Sequence, residues 1–224
     1  METNNTTLVF QVSLVKMPDK KVKCQTAETP AAAARRRIVL GARRYFFAEG
    51  FRRVTMGELA AELGMSKRTL YQHFTSKQEL LKEVLAGKLD EVEAGMAQIS
   101  DEGFTDFSRA LEEMLAFVQS QIEEIQPHFI HDIRREAPEL FQVVEHRRRG
   151  ILQRHFGRLF AEGRKAGVFR KDVPSHLMVE ILLGAVQAIV NPGKLAELNL
   201  TLKTGYSTII KVLLDGIVVR KETS

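Results

Sequence analysis

A single cysteine, Cys24, stands in 224 residues, which excludes an intrachain disulfide, a thiolate cluster for zinc and a dithiol redox pair. Tryptophan is absent, so the usual intrinsic reporter of ligand binding is missing. No apolar run approaches the ~20 residues of a bilayer-spanning helix; the longest, Ile181–Val190, is interrupted by Gly184 and Gln187. No nucleophile–base set, phosphate loop or zinc spacing is present, so neither an enzyme nor a cofactor-bearing protein is the expectation. What remains is a chain of ordinary globular composition, 44% hydrophobic and 27% charged, that is not disordered and fits a reducing cytoplasm without a membrane partner.

The formal charge of +5 is unevenly placed. Residues 31–80 carry ten Lys/Arg against four Asp/Glu, a net of +6, whereas residues 81–224 carry nineteen against twenty-one, a net of −2. A basic block of fifty residues joined to a near-neutral remainder suits a protein that meets a polyanion at one end only. Residues 1–30 form an N-terminal extension, polar at first and Lys-rich later, expected to be disordered; its Lys16–Lys23 segment is at most a basic arm.

From Ala31 onward apolar residues recur every three or four positions, which predicts an all-α chain. Capping signals divide its first part finely. Gly50 stops a helix that begins near Ala31, Thr55 and Glu58 form the two halves of a capping box before Met56–Leu63, and Ser66 caps Lys67–Phe74. Ser76 and Glu79 form a second box that opens a long helix from Lys77 toward Ala97. Longer helices follow at about 104–124, 127–137, 139–165, 175–189 and 201–220, separated by Gly103, Pro127, Pro138, Gly167, Pro174 and Pro192-Gly193.

Two short helices joined by a glycine turn, with cations on the second, describe a helix-turn-helix. Ala60 permits close packing, Gly64 supplies the left-handed turn, and Leu59, Leu63, Leu70 and Phe74 supply apolar faces. Winding Lys67–Phe74 at the helical period turns Leu70 and Phe74 inward and Arg68, Thr69 and Gln72 outward. Arg bridges guanine O6/N7 and Gln bridges adenine N6/N7, so Arg68 and Gln72 are the first candidates for base readout, with Thr69 against a thymine methyl. Thr55, Tyr71, His73 and Lys77 lie at helix ends and flanks suited to phosphate oxygens, and Ser66 and Lys67 open the same helix.

The stretch Val54–Leu81, with its Leu-Tyr-x-His-Phe and Ser-Lys-x-x-Leu elements, together with Ala48-Glu-Gly-Phe51 before it, resembles the DNA-binding domain of the tetracycline-repressor (TetR) family of bacterial transcriptional regulators. The resemblance covers about fifty residues. It implies a homodimer that brings two recognition helices to a pseudo-palindromic double-stranded DNA operator, and a larger helical C-terminal domain that binds a small-molecule effector and dimerises. The expected organisation is therefore the extension 1–30, a three-helix helix-turn-helix domain over 31–80, and a helical ligand-binding and dimerisation domain over 81–224.

In that larger part, His128 and His131 sit three apart beside Asp132, but nothing else supplies the ligands a metal needs, so no metal site is expected. They fit better as polar anchors in an apolar pocket walled by Phe104, Phe107, Met114, Phe117, Phe129, Met178 and Gln187. The arginines at 134, 135, 147, 148, 149 and 154 are interleaved with acids and read as a solvated face. The last two helices carry wide apolar stripes, Leu177, Ile181, Gly184, Ala185 and Ile189 on one, Tyr206, Ile209, Ile210, Leu213, Leu214 and Ile217 on the other. Such stripes are either central to the fold or a subunit interface; the resemblance favours an interface of four helices, two from each subunit. The functional expectation is a repressor that an effector releases from its operator, with an effector-free DNA-binding protein as the alternative.

Overall fold

Four of the helices begin on proline, where the missing N–H would have had no partner and the fixed φ already suits a helix. The computed structural model describes residues 29–101 and 104–217. Among these are ten helices: α1 (Pro30–Glu49), α2 (Met56–Glu62), α3 (Lys67–His73), α4 (Lys77–Asp101), α5 (Phe107–Glu123), α6 (Pro127–Glu136), α7 (Pro138–Lys165), α8 (Ser175–Ile189), α9 (Pro192–Glu197) and α10 (Leu202–Ile217). No strand occurs among the described residues, and the all-α expectation holds. The expected arm at Lys16–Lys23, the break at Gly103 and the helix beyond Ile217 lie outside the described residues.

The helix boundaries follow from local chemistry, and the departures from expectation have causes. The fifth helix starts at Phe107 rather than Phe104 because Asp106 accepts from the Arg109 amide at 3.0 Å. The seventh starts on Pro138 itself. The unexpected α9 arises because Asn191 caps Pro192, accepting from the Lys194 amide at 2.9 Å, so a residue pair read as a breaker starts a helix instead.

The buried apolar residues form two clusters. The first joins α1, α2 and α3 to the start of α4 and contains the rings of Phe46, Phe47, Phe51 and Phe74. It also receives Phe129 and Ile133 from α6, with the Phe47 and Phe129 ring centroids 4.8 Å apart. The second is built from the later turns of α4 together with α5, α7, α8 and α10. Helix α4 thus serves both, through Leu80, Leu81, Val84 and Leu85 in the first and Leu89, Val92 and Met96 in the second. Each fully buried large apolar side chain contributes about 1.5–3 kcal/mol, so neither cluster stands without its turns of α4.

Ionic contacts reinforce the same joint. Arg43 of α1 is forked between Glu91 of α4 and Glu124 beyond α5, both at 2.6 Å. Lys88 pairs with Glu124 and donates to Gln121 Oε1 at 2.9 Å. Burial, with a smaller push from Arg43, lowers the Lys88 ammonium to about 8 against the opposing pull of Glu91.

Two consequences are testable. Glycine at 163 lies against the locked ring of Phe169, whose nearest carbon would stand 2.3 Å from an added Cβ. Overpacking of this kind costs about 1–3 kcal/mol and outweighs the 0.5–1 kcal/mol, roughly, that alanine adds to a helix. Gly163→Ala is therefore expected to lower stability in urea denaturation. For Lys88, the unfolded chain keeps its proton up to the ordinary 10.5 while the folded chain loses it near 8. The unfolded state thus binds more protons between these values, and stability rises with pH across that window. Relative to Lys88→Met, the wild type should gain stability from about pH 8 to pH 10 and show a flat difference below pH 8.

Candidate nucleic-acid interface

The turn between α2 and α3 is set by backbone hydrogen bonds. The Met65 amide donates to Ala60 O at 2.9 Å and the Gly64 amide to Ala61 O at 3.0 Å, with Gly64 at φ 64°, a Schellman closure that needs glycine's left-handed freedom. Before it, the capping box forms in full: Thr55 Oγ1 accepts from the Glu58 amide at 3.2 Å, and Glu58 Oε2 accepts from the Thr55 amide at 2.8 Å. Hydrogen bonding to the carboxylate from the Thr55 amide first, and then from the Thr55 side chain, holds the Glu58 carboxyl below its ordinary range. After it, Ser66 accepts from the Thr69 amide at 3.0 Å.

Winding α3 from that cap places Leu70 and Phe74 fully inside and leaves Lys67, Arg68, Tyr71 and Gln72 exposed, as the period dictates. Ser66 and Thr55 are exposed at the two caps. Thr69 and His73 are both half-buried. The Thr69 hydroxyl is tied to Ser66 Oγ at 2.8 Å, which leaves its methyl as the outward contact. Among the described residues Lys67, Arg68, Tyr71 and Gln72 form no ion pair or side-chain hydrogen bond, so their polar groups face solvent.

Lys77 departs from the expected role. Its ammonium turns inward, donating to Phe51 O and Val54 O, both at 2.9 Å, and lies 4.3 Å from the Phe51 ring centre. Burial lowers its pKa, opposed by Glu136, Asp132 and Glu58. This cation closes the α1–α2 turn, a geometry that does not match a phosphate contact. The second capping box is also only half formed: Ser76 accepts from the Glu79 amide, but the Glu79 carboxylate turns to the Thr75 amide and hydroxyl, both at 2.7 Å.

Sequence reasoning missed the grip on the other end of α3. Arg35 of α1 donates to the His73 carbonyl and stacks 4.0 Å over the Phe74 ring. Its position in a run of three arginines gave no signal, because only the fold brings the start of α1 to the end of α3. At the far end of α1, the Arg52 amide donates to Asp132 Oδ2 of α6 at 2.8 Å, and His128 packs against Gly50.

The residues expected to wall a pocket divide between the two clusters and the surface. Phe129 is buried in the first cluster, and His128 and His131 are exposed on the same helix α6. Met114 and Met178 are fully buried in the second cluster, Phe104, Phe107 and Phe117 pack against it, and Gln187 is exposed on α8. The reason is that α6 docks on α1 and carries its aromatic residue away from the second cluster.

The stripe on the last two helices divides similarly. Tyr206, Ile209, Leu213 and Ile217 are buried within the chain itself, so they cannot present surface to a second copy. Burial raises the Tyr206 hydroxyl to about 12, with a small opposing pull from Arg148. Leu177 and Ile181 are 44% and 50% exposed, and Gly184, Ala185, Ile189 and Ile210 are at least partly accessible. Val212, not anticipated, is 68% exposed on α10, while the Leu214 side chain lies outside the described residues.

With this geometry in view, residues 38–84 match the family described as bacterial regulatory proteins, tetR family. That match covers the α2–α3 turn and the helices on either side of it, and it is a likeness of this region. Over 69 residues, 31% of its length, the chain is 36% identical to the HTH-type transcriptional activator FasR of Mycolicibacterium smegmatis, and the match spans about a third of that curated relative's length. In fold it is similar to a TetR-family transcriptional regulator from Agrobacterium tumefaciens, at 17% identity over 84% of this chain and 100% of that one, with a TM-score of 0.66. The TetR-family regulator PfmR from Thermus thermophilus is similar at 22% identity over 83% of this chain and 100% of that one, with a TM-score of 0.59.

Removing the Lys77 ammonium leaves two buried carbonyls without their donor, at about 1–3 kcal/mol for each such group. Lys77→Ala should therefore lower the urea midpoint of the protein in the absence of any ligand. A variant as stable as the wild type would return Lys77 to the role of a surface cation.

Proposed function

We propose that this protein is a homodimeric, sequence-specific DNA-binding transcription regulator of the cytoplasm, not an enzyme, that reads double-stranded DNA with the outward face of α3. The observation that carries this reading is that face itself. Arg68 and Gln72 are solvent-facing and without side-chain partners among the described residues, on a helix fixed at both ends and flanked by Lys67, Ser66, Thr69 and Tyr71. Arg68 and Gln72 supply base readout. Lys67, Ser66, Thr55, Tyr71 and His73 supply phosphate contacts, which fix register and carry no sequence information.

A two-fold protein suits a pseudo-palindromic operator, with half-sites about 34 Å apart in successive major grooves. The exposed stripe of Leu177, Ile181 and Gly184 on α8, beside Val212 of α10, is the surface proposed to meet its counterpart on the second subunit. Glycine in that stripe lets two backbones approach closely. A small-molecule effector acts through the second cluster. It binds the DNA-competent and DNA-incompetent dimers unequally, because equal binding would shift nothing.

The proposed sign of regulation is repression relieved by the effector. A second reading, activation, is favoured by the relative that is named an activator. In vitro transcription from an operator-bearing promoter separates the two by whether added protein lowers or raises transcript.

Selection of genomic fragments by the purified protein at near-physiological salt should return a pseudo-palindrome. Arg68→Ala should then cost about 1–3 kcal/mol of operator affinity and relax the preference at one position of each half-site. Lys67→Ala should weaken all sequences alike and reduce the salt slope by about one. Sequence-indifferent recovery, or an Arg68→Ala variant with unchanged preference and affinity, would overturn the assignment of the α3 face.

A further inference from the structure

We infer that the groove between α7 and α8 binds a small organic monocarboxylate through Arg164. The groove encloses about 450 Å³, within the range of small-molecule sites, and is lined by Gln153, Gly157 and Arg164 of α7 and by Ser175, Val179 and Glu180 of α8, with Pro174 and His176 at the mouth. None of the residues expected from sequence to form a pocket lines it.

Charge balance around Arg164 favours an anion. The Arg164 guanidinium has no carboxylate within 4 Å among the described residues. Its Nη2 donates to Lys171 O at 2.6 Å and its Nη1 reaches Ser175 Oγ at 3.5 Å, while Nε is buried with no hydrogen-bond partner. The acids nearby are already engaged. Asp172 feels the Arg164 charge, but its carboxylate is held by Arg170. Glu180 is held by Arg149 and by Gln153, whose Nε2 donates at 2.7 Å. A half-buried guanidinium in the wall of a cavity with no carboxylate beside it is matched by an incoming anion, and planar carboxylate suits the remaining N–H groups of its fork.

The rest of the lining selects the kind of anion. Glu180 in the wall repels a dianion, and no second Lys or Arg lines the groove to balance one, so phosphate is disfavoured against a monocarboxylate. Gly157, Pro174 and Val179 offer a short apolar floor to the body of the ligand. The carbonyl oxygen of the Gln153 amide has no hydrogen bond among the described residues and accepts from a ligand donor at the other end. As a source of effector chemistry this inference depends on the proposed regulatory function, but as a statement about binding it does not.

The test uses the full chain without DNA and, as probes, acetate, benzoate and octanoate, with inorganic phosphate as competitor, followed by ligand-observed NMR and calorimetry. At least one carboxylate should bind saturably and resist displacement by equimolar phosphate. Arg164→Gln should weaken it at least about tenfold, the loss of a charge-assisted hydrogen bond. Because Arg164 also holds the Lys171 carbonyl, a second variant guards against misfolding. An added Cβ at Gly157 meets no atom within 4 Å, so Gly157→Leu fills the groove without disturbing Arg164 and should also abolish binding. The inference is overturned if none of the three carboxylates binds saturably, if both variants bind as the wild type does, or if phosphate displaces the carboxylate at equal concentration. Operator affinity measured with and without the bound carboxylate is a separate readout: unchanged affinity would remove the effector role while leaving the site.

Discussion

Helix α4 is the constraint on which the rest of the structure depends. Its 25 residues, at a rise of roughly 1.5 Å each, span about 37 Å, and its two ends are buried in different apolar clusters. Neither cluster can rotate about this helix without exposing leucines and valines of the other. The ion network of Arg43, Lys88, Glu91 and Glu124 adds a second tie between α1, α4 and the end of α5, and the docking of α6 against Phe47 adds a third. Surface ion pairs alone fix little. This set matters because Arg43 and Lys88 are largely buried, with side chains 15% and 8% exposed, so their carboxylates cannot be exchanged for water at low cost.

A similar division of cations governs the short helix α3. Seven residues are too few to be stable alone, and its shape is imposed from outside by Ser66 at one end and Arg35 at the other, with Leu70 and Phe74 as anchors. Cations in this region therefore fall into two kinds. Arg35 and Lys77 grip backbone carbonyls and aromatic rings and hold the helix in place. Lys67 and Arg68 grip nothing among the described residues and remain available outward.

The fold and the face of α3 were legible in the sequence because their signals are local. Periodicity placed Leu70 and Phe74 inward, and the Thr55 box and Gly64 turn form as their spacing indicated. What was not legible depends on contacts between distant segments. A lysine at a helix start reads as an exposed cation until a loop twenty-odd residues earlier is folded over it, as happens to Lys77. Phe129 reads as a pocket wall until α6 packs on α1 and buries it in the other cluster. Tyr206 and Ile209 could not be told from Val212 by hydrophobicity, since one stripe faces inward and the other outward on the same helix. The groove beside Arg164 left no trace in pattern, because its defining property is the engagement of Asp172 and Glu180 by other arginines.

Those internal pairings have a consequence for how the molecule approaches a partner. Arg147 and Arg154 are neutralised by Asp90 and Glu93, Arg148 by Glu145, and Arg149 by Glu180. The uncompensated positive charge is thereby concentrated in residues 31–80, which carry a net +6 against −2 for residues 81–224. The chain is thus an electric dipole. In the field of a polyanion it experiences a torque as well as an attraction, so that diffusional encounters are oriented with α3 leading before any specific contact is made.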